Sequence, residues 1–386
     1  MANHRTHLAG HGKRKIQITT YMKRLLTIIA ATAALAACSQ PDSIMQTLAG
    51  TVEKGQYLFG HQDDLMYGHD WNANLEADHS FTKSDVFSTV GSYPAMLGLD
   101  LGGIELGNPC NLDGNDFSMM KEAMKKHHQR GGIVTLSWHL RNPLTGGDAW
   151  DVSSDKVVES ILPGGEKHDI FLGWLDNVAA FISEAGVPVI FRPWHEHSGS
   201  WFWWGAGLCT PEQYNELWRM THDYLTETKG LTDIVWAISP NIVDSEFESW
   251  EERYPGDAYV DIIGFDCYAH KPRTESPEEE PDWATANEQF ISEMHYGLIT
   301  LERMAHEHHK LLAVTETGME SMAYENWWTE VLQPAIEGFP IAYVLVWRNA
   351  NEPGMREHHF YTPFPGGPGE EDFKKFVDSP QTIFLD

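Results

Sequence analysis

The fold class predicted for this chain is α/β: a single (β/α)8, or TIM-barrel, domain. Three observations predict it. Eight short apolar runs recur from Tyr57 onward, at 57–62, 94–102, 131–139, 188–196, 232–240, 260–268, 311–318 and 341–349, separated by stretches long enough for a loop and a helix. Most runs are continuous rather than alternating, as in Gly132-Ile133-Val134-Thr135-Leu136 and Pro188-Val189-Ile190-Phe191, which suits parallel strands covered on both faces. The runs also turn abruptly from aliphatic to polar and aromatic at their C-terminal ends: Trp138-His139, Trp194-His195-Glu196-His197, Asp266-Cys267-Tyr268, Thr315-Glu316-Thr317 and Trp347-Arg348-Asn349. In a barrel these ends surround one mouth, where barrel enzymes place their sites.

The intervening segments read as helices. Phe117 to Arg130 is rich in Met, Lys, Glu and Ala and stops at Gly131-Gly132, while Thr210-Pro211-Glu212-Gln213 supplies an N-cap, a first-position Pro and the Gln of a capping box. The longest connections, roughly 140–165, 197–210 and 269–285, follow strand ends and are expected to wall the mouth. His127-His128 and His308-His309 fall in predicted helices and are expected to be solvated.

The N-terminus divides the chain. Lys23-Arg24 followed by the apolar run 25–37 is too short to span a bilayer and reads as a signal peptide, ending in Leu35-Ala36-Ala37-Cys38, the pattern of a bacterial lipobox. Residues 1–38 are thus expected to be a leader with Cys38 as lipidation site, and 39–386 the barrel domain. Ser39-Gln40 after the cysteine, with no Asp there, favours an outer-membrane location in the cell envelope, with the lipid as the only membrane contact. All six basic residues of the leader precede Cys38 and no acidic one does, so its removal takes the net charge from −29 to −35. Such an acidic surface excludes nucleic acid as a partner, and a neutral polymer meets no such obstacle. A monomer is expected. Of the remaining cysteines, Cys267 lies in an apolar run and reads as a buried small hydrophobe, leaving Cys110 and Cys209 as a candidate loop-to-loop disulfide.

Cleaving a glycosidic bond needs one carboxyl to protonate the leaving oxygen and a second to attack, or to activate water. Glu196 and Glu316 are the candidates, because each closes an otherwise apolar run, the fourth and the seventh. A structural ion pair with Arg192 or Arg348 is the plainer reading of both. Trp138, Trp150, Trp194, Trp201, Trp203, Trp204, Tyr268 and Trp347 cluster at the same rim, and sugar rings stack on such faces. The run Trp201-Phe202-Trp203-Trp204 follows Glu196 in a Gly-rich loop, where a wholly core role is hard to arrange.

Arg192-Pro193-Trp194-His195-Glu196 with Trp201, then Asp266-Cys267-Tyr268, Thr315-Glu316 and Trp347-Arg348, resembles glycoside hydrolase family 26, the β-mannanases. The resemblance runs from about Gly60-His61-Gln62 to Arg348. It implies an endo-acting, retaining β-1,4-mannanase with Glu196 as acid/base and Glu316 as nucleophile. It further implies that Arg192 and His195 orient the site around Glu196, that Tyr268 hydrogen-bonds Glu316, and that Asp266 supports from the same strand as Tyr268. His139 and Trp150 would contact the sugar at subsite −1, Trp201 would stack at +1, and Trp347 with Arg348 would hold the sugars at −1 and −2. The implied partners are β-mannan polysaccharide or manno-oligosaccharides, with no cofactor.

Other readings are weaker. His195-Glu196-His197, and His61, His69 and His79 near Asp63, Asp64 and Asp70, invite zinc, but the metalloprotease pattern needs two His one helical turn apart; no metal is expected. Asp63-Asp64 either line a subsite or cap a turn. Ser137 and Cys267 lack a nucleophile-elbow pattern, and Lys54 and Lys310 precede strands, at the wrong end of the barrel. Exo-action releasing mannobiose, with 141–169 as a wall, and hydrolysis of another β-glycan such as xylan or mixed-linkage β-glucan are the alternatives within the family, and a glycan-capturing lipoprotein without catalysis is the alternative of another class.

Overall fold

The computed structural model describes residues 43–241, 250–276 and 278–386; the expected leader and Cys38 lie outside the described residues. Eight strands, β1 (Tyr57–Gln62), β2 (Met96–Asp100), β3 (Ile133–Ser137), β4 (Val189–Arg192), β5 (Ile234–Ile238), β6 (Ile262–Ala269), β7 (Leu311–Met319) and β8 (Ile341–Val346), pair in parallel in chain order. β8 returns to β1, with Leu58 opposite Tyr343 and His61 opposite Val346, so the sheet closes into the (β/α)8 barrel. Each strand overlaps one of the eight apolar runs. β4 is the shortest, because its run leaves the sheet at Pro193, which has no N–H for the ladder.

Strand residues alternate between two cores. Leu58, Met96, Ile133, Ile190, Ile262 and Leu311 join an inner cluster that also contains Ile44, Leu48, Ala49 and Val52. These four belong to helix α1 (Ile44–Glu53), whose start is fixed by a Ser43–Gln46 capping box. The inner strand residues lie at or near the strand N-termini, so α1 plugs the barrel floor. At the same end a ninth strand, β9 (Thr382–Leu385), pairs parallel with Tyr57-Leu58 and antiparallel with Tyr93-Pro94.

The outward residues pack against helices, among them α2 (Phe117–Gln129), α3 (His168–Ala185), α4 (Pro211–Asp223), α5 (Trp283–His308) and α6 (Glu370–Val377). The capping box of Thr210 and Gln213 starts α4 as expected. No helix among the described residues is long and apolar enough to cross a membrane.

Two expectations fail here. His127 is buried rather than solvated, because it continues the stripe Met120, Ala123, Met124 at helical spacing and faces the sheet. Its ring lies over Gly132, where an added Cβ would come within 2.2 Å of Nε2, and burial pushes its pKa down to about 4. Cys110 and Cys209 are not joined: Cys209 Sγ instead donates to the Trp204 carbonyl at 3.3 Å and lies 3.4 Å from Arg253 Nη1. Cys267 is buried in the outer core, as expected.

Close packing inside the barrel demands glycine at particular inward positions. A Cβ on Gly98 would meet Gln62 Oε1 at 2.0 Å and Leu345 Cδ2 at 3.2 Å. Gly98→Ala should therefore lower the unfolding free energy by about 1–3 kcal/mol, measured by denaturant titration; an unchanged midpoint would show that the interior yields freely.

Candidate active site

Alternation along the strands decides which side chains reach the axis. On β4, Ile190 points inward and so does Arg192; on β6, Ile262 and Gly264 precede Asp266 and Tyr268 on the same side. β7 begins in the same way, with Leu311 and Ala313 inward, and strict alternation would send Glu316 out into the helical layer. The register between β7 and β6 shifts at this point: Val314 lies opposite Phe265, but Glu316 lies opposite Asp266. This bulge at Thr315 inserts one residue and turns Glu316 back to the axis. Thr315 uses its hydroxyl to donate to Asp266 Oδ1 at 2.6 Å.

Glu196 is placed by a different irregularity. After β4 the chain forms a tight turn in which Trp194 (φ 55°) and Glu196 (φ 52°) are both left-handed, a conformation costing roughly 1–3 kcal/mol per non-glycine residue. The turn is pinned on several sides. Tyr214 OH donates to the Trp194 carbonyl at 2.9 Å, Trp204 Nε1 to the His195 carbonyl at 2.8 Å, and Glu196 N to the Ser239 carbonyl at 2.7 Å.

Carboxylate oxygens of Glu196, Asp266 and Glu316 converge within 4.8 Å of one another. Among the described residues this is the one convergent set of potential metal donors, and Arg192 already supplies a cation to two of them. Its Nη1 donates to Asp266 Oδ2 at 3.0 Å and to Ser239 Oγ at 3.0 Å, and its Nη2 bonds Glu316 Oε1. Tyr268 OH donates to Glu316 Oε2 at 2.8 Å. Both oxygens of Glu316 therefore accept from fixed donors. Among the described residues Glu196 accepts only from Trp201 Nε1, at 2.7 Å on Oε2. Burial, and then the charge of Glu316, push its carboxyl up to about 7.

His139, at the end of β3, donates from Nδ1 to Asp100 Oδ2 at 2.7 Å, and its Nε2 lies 3.0 Å from His195 Nε2. Trp150 is half-exposed and stacks on the His139 ring at 5.3 Å and 15°. Against these largely buried neighbours, Glu196, His139, Trp201, Tyr268 and Trp347 keep part of their surface open. Beside them a cavity of about 460 Å3 opens, lined by Asn241, Tyr268, His270, Glu320, Trp347 and Tyr361.

The profile of glycosyl hydrolase family 26 matches residues 36–330. The chain belongs to this family. A curated relative, a mannan endo-1,4-β-mannosidase of Bifidobacterium adolescentis, is 31% identical over 342 residues, which is 83% of this chain but 33% of that protein. Another of the same description, from Bacillus subtilis, is 32% identical over 215 residues, 52% of this chain and 56% of its own length. The family 26 chain thus spans about a third to a half of these relatives. Among solved structures, a GH26 β-mannanase of Bacteroides ovatus superposes with a TM-score of 0.79 at 41% identity, covering 90% of this chain and 96% of that one.

In the family 26 barrel, most residues expected at the site do gather there: Glu196, Glu316, Arg192, Asp266, Tyr268, His139, His195, Trp150, Trp201 and Trp347. The plain ion-pair reading holds for Glu316 with Arg192, whereas Arg348 instead bonds Asp113 at 3.3 Å and Glu352 at 3.2 Å. The aromatic rim is thinner than expected. Trp138, Trp194, Trp203 and Trp204 are fully buried, and Phe202 nearly so. Their rings pack on one another at 5–6 Å, so the loop after Glu196 is itself a core and exposes Trp201 alone of its four aromatics. His195-Glu196-His197 is a turn, not a strand end, and His61, His69 and His79 serve separate partners in Asp64, Asp70 and Glu122. Asp63 and Asp64 are buried, Asp63 accepting from Tyr67 OH at 2.8 Å and from Asn115 Nδ2 at 3.1 Å. Asp100 joins the site although nothing in the character of its strand end marks it. Two-residue alternation from Met96 through Gly98 points to it, but the apolar Leu101 masks the change of character at this strand end.

Replacing Trp201 with Phe removes its Nε1 hydrogen bond to Glu196, which holds the carboxyl down. The Glu196 carboxyl should then titrate above 7, as followed by 13C NMR of the labelled side chain; a titration unmoved or lowered would contradict this arrangement.

Proposed function

We propose that this protein is a retaining, endo-acting β-1,4-mannanase that hydrolyses mannan, galactomannan or glucomannan, with Glu196 as acid/base and Glu316 as nucleophile. The observation that carries the reading is the pair of closely spaced glutamates in opposite environments. Retaining glycosidases hold their two carboxyls about 5–5.5 Å apart, against about 6.5–9.5 Å in inverting enzymes, which leave room for a water. Oxygens of Glu196 and Glu316 within 4.8 Å fit the first class.

Each step then has an agent. Glu316, oriented by Arg192 and Tyr268, attacks the anomeric carbon while Glu196, protonated below about 7, gives its proton to the departing glycosidic oxygen. The sugar becomes an ester on Glu316, whose negative charge is thereby lost. After burial, that charge is the largest contributor to the high pKa of Glu196, so Glu196 now ionises more readily, takes a proton from water, and the water displaces Glu316 with a second inversion. His139 and Trp150 face the sugar at −1, Trp201 stacks at +1, and Trp347 with Arg348 holds −1 and −2. Mannan as substrate is supported by the descriptions of the relatives. The lipobox supports an anchor at Cys38 and an outer-membrane position.

Wild-type protein incubated with mannan should release new reducing ends, the first formed products carrying the β anomer by 1H NMR. Glu316→Ala should abolish release, and Glu196→Ala should lower kcat/KM by about 10²–10⁴-fold. The alkaline limb of the kcat/KM profile should lie near pH 7, because the acid form of Glu196 is lost as pH rises through its pKa. Binding without product from the wild type would favour glycan capture; an α anomer formed first would remove the nucleophile role; early dominance of mannobiose would mean exo-action; and cleavage of xylan or β-glucan in place of mannan would overturn the substrate.

A further inference from the structure

Asp100 closes β2 on the inward side, and its carboxylate is buried beneath the mouth. It accepts four hydrogen bonds. Oδ2 takes Ser137 Oγ at 2.6 Å and His139 Nδ1 at 2.7 Å, while Oδ1 takes Gly102 N at 2.7 Å and His139 N at 3.2 Å. A carboxylate so committed acts only through what it holds, and it holds His139 by both backbone and ring.

The far side of that ring poses a choice. His139 Nε2 stands 3.0 Å from His195 Nε2, so one nitrogen must donate and the other accept. With Nδ1 already donating to Asp100, His139 either accepts as a neutral ring or donates from both nitrogens as a cation. The charged groups around it decide. Asp100 and Asp113 face it from β2 and the following loop, Glu196 from the turn after β4, and Glu316 from β7, all of them acidic. Among the described residues His195 is its one basic neighbour in contact; burial above all keeps His195 neutral, and with its proton on Nδ1, which has no hydrogen-bond partner among the described residues, its Nε2 is left to accept.

We propose that Asp100 is a positioning residue of the reaction, fixing His139 as a doubly donating imidazolium between Asp100 and His195, so that a cation stands beside both glutamates. Burial opposes the charge on His139, but Asp100 and then Glu316 and Glu196 outweigh it and hold its pKa above the ordinary value. Burial likewise opposes the charge on Asp100, and His139 and the hydrogen bonds outweigh it there too. In the resting site the cation favours the anion of Glu316. Once Glu316 is esterified it favours the anion of Glu196, the base for the second step.

This role rests on the mannanase reading, yet its first test needs no turnover. 15N NMR of histidine-labelled protein, with His139→Gln for assignment, should show both ring nitrogens of His139 protonated at pH 6 and the loss of a proton centred above the ordinary histidine value of about 6.5; a single protonated nitrogen at pH 6 would overturn the proposal. In Asp100→Asn the ring should lose a proton at lower pH. Removing the cation should also move the alkaline limb of kcat/KM upward by about half a unit or more, in a variant whose melting curve shows it folded. A limb that stays put in folded Asp100→Asn would likewise overturn it; should that variant fail to fold, the wild-type nitrogen signals decide alone. Mannan cleavage with a neutral His139 would sink this role and leave the function standing, whereas a cationic His139 in a protein that cleaves nothing would do the reverse.

Discussion

The guanidinium of Arg192 is the constraint on which the rest of the mouth depends. It joins β4 to Ser239 beyond β5, to Asp266 on β6 and to Glu316 on β7, so one side chain ties four neighbouring strand ends together at the axis. Charges taken out of water cost several kcal/mol each unless their partners and hydrogen bonds are complete. Here the set is nearly complete. Thr315 supplies Asp266, Tyr268 supplies Glu316, and the planar fork of arginine meets two carboxylates at once, which a lysine ammonium has no geometry to do.

A regular barrel offers an inward position every second residue, and this suffices for Arg192, Asp266, Tyr268, Ser137 and Asp100. The two glutamates need something more. Glu316 reaches the axis because one residue is inserted into β7, and Glu196 because the chain leaves β4 in a left-handed turn. The left-handed turn is costly in backbone terms, the bulge gives up regular pairing at one residue, and both are braced by the surroundings. The buried tryptophans after Glu196 are part of that bracing: Trp204 holds the His195 carbonyl, while Trp203 and Trp194 pack edge to face. Aromatic mass that resembles a sugar platform in one dimension is the scaffold of the acid in three.

What could be read from the sequence follows the same division. The eight strands were legible because apolar runs of strand length are unmistakable when repeated, and the polar strand ends named most of the site. The carboxyl pair was legible by residue type and place in the chain, though not the bulge and turn that aim it, since nothing local in Val314-Thr315-Glu316 marks an inserted residue. Local character misled where burial depends on partners: His127 reads as a solvated helix residue until its stripe is counted against the sheet, and Cys110 with Cys209 reads as a pair until Cys209 is seen serving Trp204 and Arg253. Asp100 was passed over because only alternation, not composition, sets it apart.

The plug under the barrel has one more consequence. Helix α1 seals the floor, at the end opposite the mouth, so the described chain begins at that underside. A surface met by that underside would leave the cleft on the far pole, open toward long polymers arriving from outside, with the body of the barrel as its pedestal.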